Sequence, residues 1–422
     1  MPDSAGDRGP QRVSGYDGSE LRVWLITMGP GRAVWERFGH NAIRVLDTGT
    51  GSDISYNWGI FDFDQENFIP RFLKGEMLYM MAAFPTGPML DYYARAGREV
   101  VFQELDLTPA EKLELREFVE WNALPENRDY RYDYFIDNCS TRVRDVLDRV
   151  LGGALHDRYG EAPTETSYRW HIRRLTRVDP LLFTGMDLLL GARGDRPISV
   201  WEEMFLPETI RRAVSGMTRT MEDGTERPIA LEEELVLEAR GIVEPRAPPS
   251  WLLYYLVIGA ILGAGIAWAG ARVAAGSRAA AWTLAVAGGA WSLLAGVAGT
   301  LLVAVLFTEH WAMAWNLNLL PFNPLHLALV VFVPMVALGG AGRGTDGDAE
   351  SRGAVRARRL ARAERVARIA LLATAVGLVV ALLPFQRFGI FMALALPVQA
   401  GIWWAMARVA EAEGAAGDGR RV

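Results

Sequence analysis

The sequence offers little material for a metal centre or a disulfide framework. It has one cysteine and five histidines in 422 residues. A single cysteine cannot form an intramolecular disulfide, and one thiol among scattered histidines does not favour a thiolate zinc site. The net charge of -6 is modest for this length, and the first half has no basic cluster. We therefore predict no metal, no cofactor and no nucleic-acid partner.

Long apolar runs are absent before Trp251 and frequent after it. Residues 1–250 mix charged and apolar residues as a soluble domain does, whereas Ala, Leu, Val, Gly and Trp dominate the rest. Buried helices of a large soluble protein are the alternative, but they seldom follow one another with almost no polar face. Because a membrane-spanning helix needs about 20 apolar residues, we predict an all-α transmembrane domain over 251–407 with five helices, at 251–271, 279–308, 324–343, 369–383 and 388–407.

Arginines cluster in three segments that would lie on one side of the membrane if there are five spans. By the positive-inside rule that side is the cytoplasm, and it includes the tail 408–422. The N-terminal domain and the segment 309–323 would then face outward together. The arginines are Arg272 and Arg278 after the first span, Arg343, Arg352, Arg356, Arg358, Arg359, Arg362, Arg365 and Arg368 after the third, and Arg408, Arg420 and Arg421 in the tail.

The first 20 residues lack the apolar segment of an export signal. We interpret residues 1–20 as a disordered N-terminus. An outward domain ahead of the first span normally needs such a signal, so we expect either a signal outside the printed sequence or a misassigned start codon. An inverted topology is the third alternative.

Turn-forming residues divide the soluble half into strands and helices, which predicts an α+β domain over 21–155. The loop 47–53 suits a hairpin centred on Gly49 and Thr50. Residues 156–250 are predicted to form a mostly helical, polar lid or connector. We predict strands at 21–28, 38–46, 54–63, 77–84 and 99–105, and helices at 68–74, 91–97, 108–122 and 139–151.

Cys139 is the candidate nucleophile. Asp137 or Asn138 could cap a helix that begins there, which places the thiol in the first turn. A helix N-terminus lowers the pKa of a thiol, and its N–H groups can receive an oxyanion. A small buried core residue is the alternative, but the polar neighbours of Cys139 do not favour it.

His40 is the candidate base, because a cysteine nucleophile needs one that a third polar group orients. If the hairpin is centred as predicted, Asn57 lies near His40 and is the candidate orienting residue. A purely structural histidine is the alternative. His156 and His171 are predicted to lie on the surface of the connector.

Several segments resemble those of the Lnb family, bacterial membrane enzymes that N-acylate lipoproteins. The most specific are 35–42 (WERFGHNA), 56–63 (YNWGIFDF) and 132–142 (YDYFIDNCSTR). Further similarity lies in 67–68, 71–75, 201–207, 307–311 and 316–320, so that the resemblance extends over most of residues 20–325. The histidine-before-cysteine order is also similar to that of permuted papain-like enzymes of the NlpC and lecithin:retinol acyltransferase type, the latter of which take acyl chains from phospholipids through a thioester.

The resemblance implies a permuted papain-like soluble domain in which His40 is the base and Cys139 carries the acyl chain. A phospholipid would be the acyl donor and a diacylglyceryl lipoprotein the acceptor. The protein would lie in the bacterial inner (cytoplasmic) membrane, in contact with membrane lipid, with its catalytic domain on the periplasmic side.

Five further residues are candidates for substrate binding: Asn138, Arg71, His310, Asn316 and Asn318. Arg71, with Lys74, could meet a lipid phosphate, although a solvated pair is an equal alternative. Polar residues at a membrane boundary are unfavourable unless they face protein, water or a headgroup. The outward segment that contains the last three is therefore expected to form the floor of the site, with an ordinary interfacial loop as the alternative.

Three hypotheses for the function remain open. The first is acyl transfer through a Cys139 thioester. The second is a membrane-anchored cysteine peptidase or amidase that acts on cell-wall peptide, which leaves the membrane helices without a role. The third is a non-catalytic lipid or lipoprotein binder, which alone predicts that Cys139→Ser retains function.

Overall fold

A computed structural model describes residues 17–221, 223–339 and 349–418 and divides the chain into two units. The first unit comprises the chain up to Leu182 together with Pro197–Pro248, and the second comprises Phe183–Arg196 and Pro249–Val422. Most of the predicted disordered segment 1–20 lies outside the described residues, and so does Arg343.

A seven-stranded antiparallel sheet forms the centre of the first unit. Its strand order is β6-β4-β3-β2-β1-β5-β9, and β7 and β8 form a separate ribbon. The strands are β1 (Leu21–Met28), β2 (His40–Asp47), β3 (Asp53–Ile60), β4 (Leu78–Pro85), β5 (Val100–Leu105), β6 (Asp129–Arg131), β7 (Thr218–Thr220), β8 (Glu226–Pro228) and β9 (Ala230–Leu237).

Helices cover this sheet and connect its strands. They are α1 (Phe68–Lys74), α2 (Thr86–Ala96), α3 (Pro109–Asn122), α4 (Cys139–Val150), α5 (Ala154–Tyr159), α6 (Tyr168–Leu175), α7 (Pro180–Leu189), which continues into the second unit, α8 (Val200–Glu203) and α9 (Pro207–Ser215). The apolar face of α4 packs on β2 and β3, where Val143 and Leu147 join Ile43 and Trp58 in the buried core. The α+β architecture is therefore as predicted, with helices α3 and α4 at the expected positions.

The β2–β3 hairpin has the register that the sequence predicts. Ala42 pairs with Asn57 and Leu46 with Asp53, so that the turn is centred between Gly49 and Thr50. Extending this register places Gly59 opposite His40. Residues at diagonal positions on one face of a sheet lie within reach of each other, which brings the Asn57 side chain to His40.

The predicted connector is helical over much of its first part, as α5 to α9 show, but its last part forms strands. Residues 230–237 form β9, which pairs with β5 at the edge of the sheet. Its run of glutamates has no apolar face that would indicate a strand, and backbone hydrogen bonds to β5 decide its structure. His171, predicted to be a surface residue, is 1% exposed because α6 packs into the core. His156 is exposed, as predicted.

The second unit contains helices at all five predicted positions. They are α10 (Leu252–Ala274), α11 (Arg278–Val305), α12 (His326–Leu338), α13 (Ala349–Val380) and α14 (Gly389–Asp418). Within the described residues, α10, α11 and most of α14 are long and apolar enough to cross a membrane. The apolar helix α12 is shorter, and α13 joins an arginine-rich segment to an apolar one. The unit is thus a helical region with several apolar helices, and the number of crossings stays a prediction.

Small residues let α10 and α14 approach closely. A Cβ atom added to Gly263 would lie 2.2 Å from the carbonyl oxygen of Pro397, and one added to Gly401 would lie 2.3 Å from the carbonyl oxygen of Gly263. Small residues at such contacts are the usual basis of helix association in membranes, where van der Waals packing replaces the hydrophobic effect. This contact therefore holds the first and last helices of the unit together.

Gly263→Val is expected to push α10 away from α14, because the added side chain would overlap the backbone of α14. The two helices cannot separate at this point without losing packing around it. We expect a fall in the thermal midpoint of the detergent-solubilised protein that corresponds to at least about 2 kcal/mol. Gly265→Val is the matched control, since nothing lies within 4 Å of a Cβ added at Gly265 in the same helix. Equal midpoints for the two variants would contradict the packing described here.

Candidate functional site

Cys139 is the first residue of α4, and the preceding Asn138 caps the helix. The Asn138 side-chain oxygen accepts hydrogen bonds from the N–H groups of Ser140 (2.8 Å) and Thr141 (2.9 Å). In return, the Asn138 N–H donates to Thr141 Oγ1 at 2.7 Å. This reciprocal cap defines where the helix begins. The Cys139 N–H lies in the first turn, where a helix supplies no carbonyl partner, so it can donate to an oxyanion.

Buried Asn41 joins α4 to the strand that carries His40. Its side-chain oxygen accepts from Ser140 Oγ at 2.9 Å, and its amide nitrogen donates to Thr27 Oγ1 (3.0 Å) and to the carbonyl of Ile26 (3.2 Å). The Asn41 backbone N–H lies close enough to the Cys139 sulfur to lower the pKa of the thiol. Because Asn41 follows His40 directly, this contact places the thiol at the end of β2 where the histidine lies.

The His40–Asn57 contact selects one tautomer of the imidazole. His40 Nε2 and Asn57 Oδ1 are 3.1 Å apart. The Asn57 amide nitrogen donates to the carbonyl of Ser55 at 3.0 Å, which leaves Oδ1 as an acceptor toward the ring. Nε2 therefore carries the proton, and Nδ1 has the free lone pair that a general base needs. Asn57 thus makes the contact with His40 that an orienting residue needs, and its catalytic role stays a prediction.

The surroundings of Cys139 and His40 favour the neutral form of both groups. Burial raises the pKa of the Cys139 thiol, although N–H groups of Asn41 and Ser140 act in the opposite direction. Burial, with a smaller contribution from the Arg98 cation, lowers the pKa of His40 from 6.5 to about 4. The N–H groups at the helix N-terminus lower the thiol pKa, as expected, but desolvation of the thiolate outweighs them. These shifts favour a thiol and a neutral imidazole over an ion pair.

Gly59 leaves open the space beside the thiol. A Cβ atom added there would lie 3.3 Å from Cys139 Cβ, 3.7 Å from Tyr132 Cε2 and 3.8 Å from the Cys139 backbone nitrogen. Gly59 also has φ +85, a conformation that L side chains rarely adopt. The space that a side chain would fill at Gly59 is therefore part of the route to the sulfur and to the Cys139 N–H.

The segment 201–207 holds the side chain of Asn138, which caps the helix that begins at Cys139. The Asn138 amide nitrogen donates to the carbonyls of Phe205 (3.0 Å) and Tyr134 (2.8 Å). Two residues before Phe205, Glu203 accepts from His171 Nε2 at 2.8 Å, and Arg174 Nε donates to His171 Nδ1 at 3.0 Å. This buried network belongs to the predicted connector, so that part of the chain holds the helix cap in place.

The structure shows where the predicted substrate-binding residues lie in the fold. The Asn138 side chain makes hydrogen bonds to the helix N-terminus and to two carbonyls. It therefore affects the site by fixing the helix that begins at Cys139. Arg71 lies near the end of α1 and forms no ion pair with any described residue. The other three lie in the second unit, and their binding roles, like that of Arg71, stay predictions.

Asn316 and Asn318 are buried and hold the end of α7. Asn316 Nδ2 donates to the carbonyls of Leu188 (2.8 Å) and Leu189 (2.9 Å), and Asn318 Nδ2 donates to that of Leu188 (2.9 Å). His310 is in the segment before them, and its backbone N–H donates to Thr308 Oγ1. The two asparagines therefore have a structural role within this unit.

Three residues of the site were not singled out from the sequence: Asn41, Gly59 and Arg98. The polar Asn41 directly before the apolar Ala42 and Ile43 of β2, and Gly59 near the end of the next strand, were signals that could have indicated them. Arg98 had no such signal. Its Nε donates to the carbonyl of Gly29 at 2.9 Å, and its charge reaches His40 only because β1 and β5 are neighbours.

These features define a membrane protein with an α+β domain that presents a cysteine at a helix N-terminus, next to a strand carrying a histidine. Residues 11–174 match the family model described as the Lnb N-terminal periplasmic domain, and residues 253–338 match the one described as the Lnb transmembrane domain. The chain belongs to the Lnb family, and residues 11–174 correspond to its periplasmic domain. Comparisons with curated proteins and with solved structures gave no match.

Gly59→Ala is expected to block access to Cys139. We expect alkylation by N-ethylmaleimide to slow by at least about tenfold, because the added methyl group fills the approach to the sulfur. Gly51→Ala is the matched control for backbone strain, since Gly51 has φ +73 and nothing lies within 4 Å of its added Cβ. If both variants react at the wild-type rate, the approach does not pass Gly59.

The neutral resting pair predicts the pH dependence of thiol reactivity. Only the thiolate reacts, and the thiol pKa lies above its ordinary value of 9.0, so alkylation by iodoacetamide should be slow at pH 7 and rise through a midpoint above 9.0. Cys139 is the only cysteine, so every adduct reports on it. The denatured chain provides the reference with an ordinary thiol. A midpoint near or below pH 7 would instead indicate a thiolate–imidazolium pair.

Proposed function

We propose that this protein is an acyltransferase that forms a thioester on Cys139 from a phospholipid and transfers the acyl chain to the N-terminal amine of a lipoprotein. The observation that supports it best is the arrangement around Cys139. The thiol begins a capped helix, has the Asn41 N–H close to its sulfur, and lies at the end of the strand where Asn57 contacts His40.

The first step would consume the phospholipid ester. As the sulfur attacks the carbonyl carbon, His40 Nδ1 takes the thiol proton, so that no free thiolate has to form before the attack. The Cys139 N–H can donate to the oxyanion that forms. The carbon–oxygen bond of the ester then breaks, the imidazolium returns the proton to the leaving alkoxide, and the products are a lysophospholipid and an acyl thioester.

The second step would consume the lipoprotein amine. The free amine attacks the thioester carbonyl while His40 takes one of its protons. The carbon–sulfur bond breaks, and the imidazolium protonates the leaving thiolate. The products are an amide on the lipoprotein and the thiol of Cys139, so the resting state is restored without a cofactor.

The membrane unit gives this reaction its location. A lipid donor and a lipid-anchored acceptor both have apolar chains that stay in the bilayer, and several apolar helices hold the enzyme in the same layer. The arginine-rich segments favour a cytoplasmic side opposite the periplasmic domain. We therefore propose the bacterial inner membrane as the site of the reaction.

Intact-mass spectrometry of the purified full chain after incubation with phospholipid vesicles tests the proposal. We expect a fatty-acyl mass on the wild type that neutral hydroxylamine removes, since hydroxylamine cleaves thioesters. Cys139→Ala should carry no adduct, because it lacks the acyl-accepting sulfur. His40→Ala should acquire it at least about a hundredfold more slowly, the range of general-base contributions.

Three results would contradict the proposal. An adduct on Cys139→Ala would place the acyl chain elsewhere. A folded wild type that stays unmodified with several phospholipids but cleaves a cell-wall peptide would make it an amidase. Full function of Cys139→Ser would make it a binding protein.

A further inference from the structure

Seven aromatic side chains form a continuous ribbon on the periplasmic domain. The aromatic ribbon consists of Trp35, Phe61, Phe63, Phe68, Phe72, Tyr79 and Tyr132. From Phe72 the ring-to-ring distances are 6.3 Å to Phe68, then 5.2 Å to Phe63, 4.8 Å to Phe61, 5.1 Å to Tyr79 and 4.1 Å to Tyr132. Trp35 lies beside the middle of the ribbon, 6.0 Å from Phe61 and 6.2 Å from Phe63.

The outer part of the aromatic ribbon is exposed. Trp35 is 62% exposed, Phe63 60% and Phe72 41%, and Ile69 and Leu73 of α1 are exposed beside them. No residue of α1 is buried. A contiguous apolar surface of this kind is unfavourable in water and usually marks a site for an apolar ligand or partner.

The inner end of the aromatic ribbon reaches the nucleophile. Tyr132 Cε2 and Cys139 Cβ lie 3.7 Å and 3.3 Å from the position that a Gly59 side chain would occupy. Burial and then the nearby Cys139 raise the pKa of Tyr132 well above its ordinary range. A molecule that lies along the aromatic ribbon therefore arrives at the open side of the sulfur.

We propose that the aromatic ribbon binds the acyl chain of the donor lipid and directs its ester carbonyl to Cys139. This inference rests on the proposed function and adds the binding site for the chain. The occupant must carry a carbonyl at one end, for the sulfur, and be apolar along the rest. An acyl chain has this form, whereas a peptide needs a partner for each backbone N–H and C=O group, which is more than two tyrosine hydroxyls and one indole N–H supply.

Chain length should therefore decide how much the aromatic ribbon contributes. A palmitoyl chain can cover several ring-to-ring steps, and each methylene that leaves water adds to binding. A butyryl chain ends close to the sulfur and reaches few of the rings. Loss of the exposed outer rings should thus slow acylation by long chains and leave acylation by short chains unchanged.

The experiment compares the wild-type full chain with the double variant Trp35→Ser/Phe63→Ser in detergent micelles. The donors are dipalmitoyl and dibutyryl phosphatidylethanolamine, and intact mass gives the rate of Cys139 acylation by each. We expect palmitoylation to slow by about tenfold in the variant and butyrylation to change by less than about twofold. Both substituted residues are more than half exposed, so the fold should tolerate the change. Trp121→Ser is the matched control, an aromatic side chain 52% exposed on α3, outside the aromatic ribbon.

The possible failures are distinguishable. Equal loss with both donors, unchanged rates with both, or the same loss in Trp121→Ser would overturn the aromatic ribbon as the chain site while acyl transfer itself stands. A wild-type protein that neither donor acylates would overturn the proposed function, and this inference with it.

Discussion

The hydrogen bond between Ser140 Oγ and Asn41 Oδ1 joins the helix that carries the nucleophile to the strand that carries the base. Asn41 and Ser140 are fully buried. An unpaired buried amide or hydroxyl is destabilising by about 1–3 kcal/mol, so neither partner can leave without loss of stability. The Asn41 amide nitrogen is in turn held by β1, the neighbouring strand. The position of the thiol relative to β2 is therefore set by a buried hydrogen-bond network that joins α4, β2 and β1.

Burial that makes this network rigid also determines the chemistry of the pair. Cys139 and His40 are each only partly exposed, and this desolvation raises the pKa of the thiol and lowers that of the imidazole, because both charged forms lose hydration. His40 thus stays a neutral base across the neutral pH range, and Cys139 stays a protonated thiol that reacts little with other electrophiles. Proton transfer from Cys139 to His40 then becomes favourable only when a carbonyl is in place to take up the charge.

The chain assembles its two units by different physical means. In the periplasmic domain, apolar faces of α4 and the sheet are buried against each other, and polar side chains tie the functional elements. In the helical unit, backbone contacts at glycines such as Gly263 replace the hydrophobic effect, and buried amides such as Asn316 hold the segment from α7. A substitution that is harmless in one unit can therefore be disruptive in the other.

The sequence by itself determined the local features of the protein. Strand periodicity and turn residues placed the β2–β3 hairpin in its correct register, capping residues placed Cys139 at a helix N-terminus, and apolar runs placed the five helices of the second half. These features depend on neighbours close in the chain, whose geometry is the same in any fold.

Only the tertiary structure decided what depends on distant neighbours. The pairing of β9 with β5, the burial of His171, the Asn41–Ser140 bond and the reach of Arg98 to His40 all join residues far apart in sequence. The thiol pKa belongs to the same group. Helix position alone favours a lower value, but the burial that raises it comes from the elements packed around α4, and desolvation is a property of the whole environment.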